Sequence, residues 1–338
     1  MKHKTNIFKS IIILLCFLSS VNIFGQGSGN KYAGEFLAIG VGGRPLGMGG
    51  AFVALVNDVT AGYWNPGALS RINYPQFSLM HDSRFGGLVN YDYGSIGIPF
   101  GKNSSLGISL IRMGIDDISD TRNALINTGN GQIRLDENLI TKFSTTDYAI
   151  YLSYGKQQNE KFSYGANLKI IRRNIAEESA WGLGFDVGAA YSPFSRLLLG
   201  INMQDITTTY LSWTTGKKEL ITPTAKIGSA YMIDFFKGVI IPAVDFDVRF
   251  ENRQSASNFH LGPASFDIHA GLEYTFQNLF SIRAGYNDIG NLTLGAGIKL
   301  PKINIDYSFN KFDGDESLGN THRISLIFTL EEEKFQRK

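Results

Sequence analysis

The sequence predicts an all-β transmembrane protein, an antiparallel β-barrel of about 14 strands. Three observations predict it. Beyond residue 75 apolar residues alternate with polar or small ones at period two, the repeat of a strand. Most alternating segments run about 9–13 residues, long for a water-soluble β-protein and right for a tilted strand that crosses a bilayer. The connections between segments also sort by length, with every long one on the same side of an up-and-down count.

Composition agrees. The chain has 338 residues and a formal net charge of +2, a balance that calls for no nucleic acid or other polyanion as partner. Hydrophobic residues make up 43% and aromatic residues 12%. The 38 glycines exceed the usual share of about 7%.

Taken in order, residues 1–25 read as a secretory signal peptide. Lys2, Lys4 and Lys9 supply the basic start, and "IIILLCFLSS" (11–20) supplies a short apolar run. The single cysteine, Cys16, lies inside it, so the processed chain has no disulfide or thiolate chemistry. Residues 26–75 follow, carrying the glycine-rich stretch "GVGGRPLGMGGAFVALVNDVTAGYWNPGAL" (40–69). This is no dinucleotide fingerprint: after Gly40 and Gly42, Pro45 stands where the third glycine belongs. It is no phosphate loop either, since Met48 follows Gly47 where lysine is required. Its glycines read as sites of tight turning and close backbone packing.

The barrel spans residues 76–331. Its expected strands are 76–82, 88–99, 104–115, 146–156, 162–175, 181–193, 196–206, 223–233, 239–251, 265–276, 280–288, 291–300, 302–311 and 322–331. Short links fall at 100–103, 157–161, 194–195, 234–238, 277–279 and Pro301; long ones at 116–145, 207–222, 252–264 and 312–321, on whose side the short links 83–87, 176–179 and 289–290 also lie. A soluble sandwich has no reason to sort loops by parity, whereas outer-membrane barrels keep short turns on the periplasmic side. The expected location is therefore the bacterial outer membrane, both termini periplasmic, with residues 332–338 as a periplasmic tail and membrane lipid as the surrounding partner.

The two faces differ in charge. In 181–191, Trp181, Leu183, Phe185, Val187, Ala189 and Tyr191 oppose Gly182, Gly184, Asp186, Gly188 and Ala190. The non-apolar face of successive strands carries Lys169, Asp186, Asp245, Asp247, Arg249, Asp267, His269, Glu273, Arg283 and Lys299. A charge on the lipid face costs about 2–4 kcal/mol near the midplane, so these residues are expected inside the barrel, pairing with one another.

No catalytic constellation emerges, and no metal or cofactor is expected. Neither H-E-x-x-H nor G-x-S-x-G occurs. Ser325 lies near His322 but on the opposite face, and His269 reads as a hydrogen-bonded luminal histidine. The chain is not expected to be an enzyme.

The stretch 36–69 resembles the N-terminal signature of the PorV/PorQ-like outer-membrane proteins, which belong to the broader FadL-like group of long-chain fatty-acid channels. The resemblance rests on Phe36-Leu37, on Gly47-Met48-Gly49-Gly50-Ala51 and on Trp64-Asn65-Pro66, with weaker support from "SIRAGYN" (281–287), "LGAGIKL" (294–300) and "THRISLIF" (321–328). It implies a 14-stranded barrel whose residues 26–75 form a hatch in the lumen. Gly40, Gly42, Gly43, Arg44, Gly47, Met48, Gly49, Gly50, Trp64, Asn65 and Pro66 would belong to that hatch, with Trp64-Asn65-Pro66 as its hinge to the first strand. The resemblance also implies two functions to weigh: binding or passing a hydrophobic, fatty-acid-like small molecule, or serving the type IX secretion system as a partner of secretion proteins.

Overall fold

The computed structural model describes residues 34–127, 133–250, 257–311 and 320–337. The expected signal segment 1–25 lies outside the described residues.

Alternation at period two produces fourteen wall strands among the described residues: β1 (Gln76–Arg84), β2 (Val89–Phe100), β3 (Ser104–Asp120), β4 (Thr141–Gln157), β5 (Phe162–Ile175), β6 (Glu178–Phe194), β7 (Leu197–Gln204), β8 (Thr224–Tyr231), β9 (Gly238–Arg249), β10 (Ala264–Phe276), β11 (Phe280–Tyr286), β12 (Leu292–Leu300), β13 (Ile303–Asn310) and β14 (Thr321–Thr329). Each pairs antiparallel with its sequence neighbours. β14 closes on β1, with Phe328 opposite Phe77 and Arg323 opposite Asp82. Closure leaves no open edge, so every wall strand finds partners on both sides.

The burial pattern is that of a protein in lipid. Leu79, Ile96, Ile108 and Leu294 face outward and are exposed, while Ser109, Asn167, Asn202 and Ser308 face inward and are buried. A water-soluble barrel shows the reverse order. Aromatic residues gather at the short-turn end, where Phe194 contacts Tyr231 and Phe235 contacts Tyr274.

Three expected long links are partly strand; in 252–264, Phe259–Leu261 pairs with the start of β10. β3 and β4 each run 17 residues, with a register shift between Ile115 and Ile118. The exposed Asp116 and Asp117 made this stretch read as loop; pairing continues beyond the apolar band because strands satisfy backbone groups in water too. Within 207–222, Thr209–Trp213 pairs with Lys218–Ile221 and also with β6. The interruption between β7 and this hairpin sits at Asp205 and Thr208, both at positive φ.

The described chain enters at Gly34 through short helical pieces rather than strands. Two are α1 (Gly43–Gly47) and α2 (Ala61–Trp64); 3-10 turns occupy Glu35–Leu37 and Pro66–Arg71. Pro66 opens the last turn because its missing N–H is not needed there, and Asn65 caps it by accepting from the Gly67 amide.

Candidate functional site

The segment Gly34–Asn73 packs on inward-facing residues of the wall. Val41, Met48, Phe52, Val56, Tyr63 and Leu69 are buried. Their burial depends on small residues on the wall opposite. A Cβ on Gly285 would stand 2.2 Å from the Gly49 nitrogen; one on Gly165, 2.4 Å from the Pro66 carbonyl; one on Gly200, 2.5 Å from the Val53 carbonyl; one on Gly271, 2.6 Å from the Met48 carbonyl. Real Cβ atoms do not come that close, so only glycine lets backbone lie against backbone here.

The stretch 40–50 uses its own glycines in two ways. Gly40, Gly42, Gly49 and Gly50 have positive φ. Gly43 and Gly47 sit close against the wall instead, facing Asp306 and Gly295.

Polar side chains from the wall satisfy the segment's backbone. Asp245 accepts from the amides of Phe52 at 2.7 Å and Val53 at 2.8 Å. His269 Nδ1 lies 2.7 Å from the Gly49 carbonyl. The Gly43 amide donates to Ser325 Oγ at 2.8 Å, so this hydroxyl is engaged by the segment. Asn167 donates to the Gly62 carbonyl at 2.8 Å and Asn202 to the Trp64 carbonyl at 3.0 Å. Within the segment, Trp64 donates to the Val41 carbonyl at 2.9 Å. Tyr63 donates to the Leu37 carbonyl at 2.6 Å, and burial pushes its hydroxyl above the usual tyrosine range, keeping it a donor.

Asn65 is the hub of this polar set. Its amide donates to the Val53 and Ala189 carbonyls, each at 3.0 Å, and its oxygen caps Gly67. Asn65→Ala strips two buried carbonyls of a donor and is expected to destabilise the segment by about 1–3 kcal/mol for the unsatisfied groups. Limited proteolysis checks this: cleavage inside 34–73 should accelerate while the strands stay protected.

Charges form compact clusters. Arg44 forks onto Glu273, with Nε and NH2 both at 2.8 Å from its two oxygens. Arg283 reaches the same carboxylate and also Asp306, the latter at 2.7 Å. Burial alone would lower the Arg44 pKa; the Glu273 carboxylate outweighs it and holds the guanidinium charged. Lys169 lies 2.8 Å from both Asp186 and Asp205. Asp247 joins Lys226 and His269, and Arg249 faces Asp267. Of the expected luminal residues, Asp245 thus serves backbone amides rather than a charge. Lys299 departs from expectation: it is exposed, one residue before β12 ends, because the strand has already reached the short-turn end.

Trp64-Asn65-Pro66 also departs from the hinge expected of it. All three are buried, and nine residues lie between Pro66 and the first residue of β1, Gln76. Asp306, Asp205, Lys226 and Arg323 were missed as cluster members; Asp306, Lys226 and Arg323 stand at inward positions of alternating runs, whereas Asp205 is out of phase, just past β7, and is turned inward by the positive-φ break there. Among the described residues, no group of three or more His, Cys, Asp or Glu is placed to hold a metal ion.

Between the segment and the wall lies a cavity of about 470 Å³. Phe36, Ile39, Leu46, Trp64, Met113 and Ile115 give it apolar walls, and Arg84, Lys226, His269 and Arg323 bring positive or titratable groups to it. Phe85 and Ile289 place it toward the end opposite the short turns. The arrangement suits a largely apolar guest with a small polar end.

No protein-family model matches the chain, and no curated relative does. Solved structures do. The Pseudomonas putida toluene transporter TodX superposes with a TM-score of 0.59 at 13% identity, covering 87% of this chain and 99% of that one. The Ralstonia pickettii toluene transporter TbuX gives 0.58 at 13%, covering 86% and 98%. A Pseudomonas aeruginosa FadL homologue gives 0.57 at 13%, with the same coverage of 86% and 98%. The chain therefore has the FadL-type fold, a closed antiparallel 14-stranded barrel.

Proposed function

We propose that the chain is an outer-membrane barrel that binds or passes hydrophobic small molecules, with residues 34–73 as a luminal plug and both termini on the periplasmic side. The observation that carries this reading is the largely apolar cavity between that segment and the wall. Support comes from the fold neighbours, two of which are toluene transporters. These neighbours favour a small apolar guest over a protein cargo. The wall glycines and the backbone-directed side chains suit a segment held firmly in place, so passage requires that segment to shift or the guest to pass beside it.

The test is binding of a labelled long-chain fatty acid and of toluene to the purified chain in detergent. Ile39→Trp fills part of the cavity and is expected to weaken binding about tenfold, the effect of roughly 1.4 kcal/mol of overpacking. Unchanged affinity in this variant, or no binding of either probe to the native chain, would sink the reading.

A further inference from the structure

On the outer face, one row of directly opposed residues differs from every row beside it. Across neighbouring strands it runs His81 (β1), Asp92 (β2), Arg112 (β3), Tyr148 (β4), Arg172 (β5) and Trp181 (β6). The next outward row toward the short turns is Leu79, Gly94, Leu110, Ile150, Ile170 and Leu183, with no charge. The next toward the other end is Ser83, Asn90, Gly114, Thr146, Asn174 and Ser179, polar or small and uncharged. On each of these six strands the outward face therefore turns from apolar to polar at this row. That is where hydrocarbon gives way to lipid headgroups.

The row also has a particular chemistry. Asp92 is shared by His81 at 2.7 Å and Arg112 at 3.2 Å, so part of the Arg112 charge is met. Arg172 has no carboxylate partner among the described residues. Its guanidinium lies 4.6 Å from the centre of the Trp181 ring, and its Nε donates to Asn174 at 3.0 Å. Stacking and that single bond set the plane of the guanidinium while leaving its terminal N–H groups for a ligand. Arg112 and Arg172 flank Tyr148, two strand spacings or about 10 Å apart. Two guanidinium groups with a phenol between them make a donor set for a phosphate, and Leu110, Ile150 and Ile170 beneath offer a surface for acyl chains.

We infer that Arg112, Tyr148, Arg172 and Trp181 form an outward-facing site for the phosphate of a membrane lipid headgroup. The site holds one lipid against β3–β6, with its phosphate on the arginines and its chains along the apolar rows. It is separate from the luminal cavity, since these side chains point to the opposite face of the wall. The inference rests on the reading of the chain as a membrane barrel.

The experiment uses the full chain in neutral detergent, mixed with bisphosphorylated lipid A and examined by native mass spectrometry; enzymatically dephosphorylated lipid A is the counter-probe. The native chain should retain the phosphorylated lipid. Arg172→Gln and Arg112→Gln should each lower the retained fraction about fivefold, and the dephosphorylated lipid should not be held above the level of the double variant. Retention by R112Q/R172Q equal to the native chain would overturn the site, as would equal retention of the dephosphorylated lipid or capture of inorganic phosphate without lipid. Heat-dependent gel mobility reports that each variant is folded. Flotation with vesicles separates the two readings: a folded chain that fails to float contradicts the membrane barrel, whereas a floating chain without phosphate selectivity contradicts only this site.

Discussion

Gly285→Leu is expected to drive residues 47–50 off the wall while the barrel stays closed. The position faces inward on β11, and a Cβ there would lie 2.2 Å from both the Gly49 nitrogen and the Met48 carbonyl carbon. Both are backbone atoms, so no rotamer change relieves the clash. The segment itself resists moving at that point, because Thr293 donates to the Gly47 carbonyl and His269 holds the Gly49 carbonyl. Overpacking in a close-packed interior typically costs about 1–3 kcal/mol, and a full leucine against backbone belongs at the upper end. The wall strands keep their ladder, since the backbone hydrogen bonds of β11 to β10 and β12 do not depend on the side chain. Protease sensitivity of residues 40–60 should rise sharply, with unchanged heat-dependent mobility of the barrel on a gel. Leu294→Ala on the outer face is the matched control and should leave the segment protected. An equally protected segment in Gly285→Leu would show that the close approach carries no constraint.

Glu273→Ala is expected to be the most costly single change among the charged residues. Its carboxylate stands between the guanidinium groups of Arg44 and Arg283, with only 2% of the side chain exposed. Removing it leaves the buried Arg283 and the half-buried Arg44 facing each other, and Arg283 keeps only Asp306. Breaking one side of a buried pair costs about 3–5 kcal/mol, because the remaining charge is stranded away from water. Arg44→Ala should cost less: Arg44 is 19% exposed, and its loss leaves Glu273 still paired with Arg283. Denaturant midpoints of the two variants and of the double variant make the cycle. E273A less destabilised than R44A would contradict the assignment of Glu273 as the centre of the cluster.

Much of the fold was legible in the residues. Period two distinguished the faces of β6 and β9 without any tertiary information, and loop parity pointed to closure. The candidate site was legible only in part. Asp245, His269 and Glu273 could be placed inside the barrel because charge is costly on a lipid face. Their partners could not be named: Asp245 serves the amides of Phe52 and Val53, which lie 193 and 192 residues away in the chain. Wall glycines gave an ambiguous signal. Gly165 and Gly285 stand at inward positions of regular strands, where a glycine reads as a weak strand former until something is seen to approach it.

The alternation of apolar and small or polar residues, with the number of segments and the lengths of the links between them, determined that the chain builds membrane-type strands, which way the residues within each regular strand face, and that the wall is even-numbered and antiparallel. These follow from local geometry, since a strand turns successive side chains to opposite sides whatever surrounds it. Only the tertiary structure decided which inward residues meet Gly34–Asn73, which charges pair, where the cavity opens, and that Trp64-Asn65-Pro66 is packed core rather than a hinge. The reason is that these contacts join positions far apart in sequence, and their distances are set by how fourteen strands close into a ring rather than by any residue's own preference.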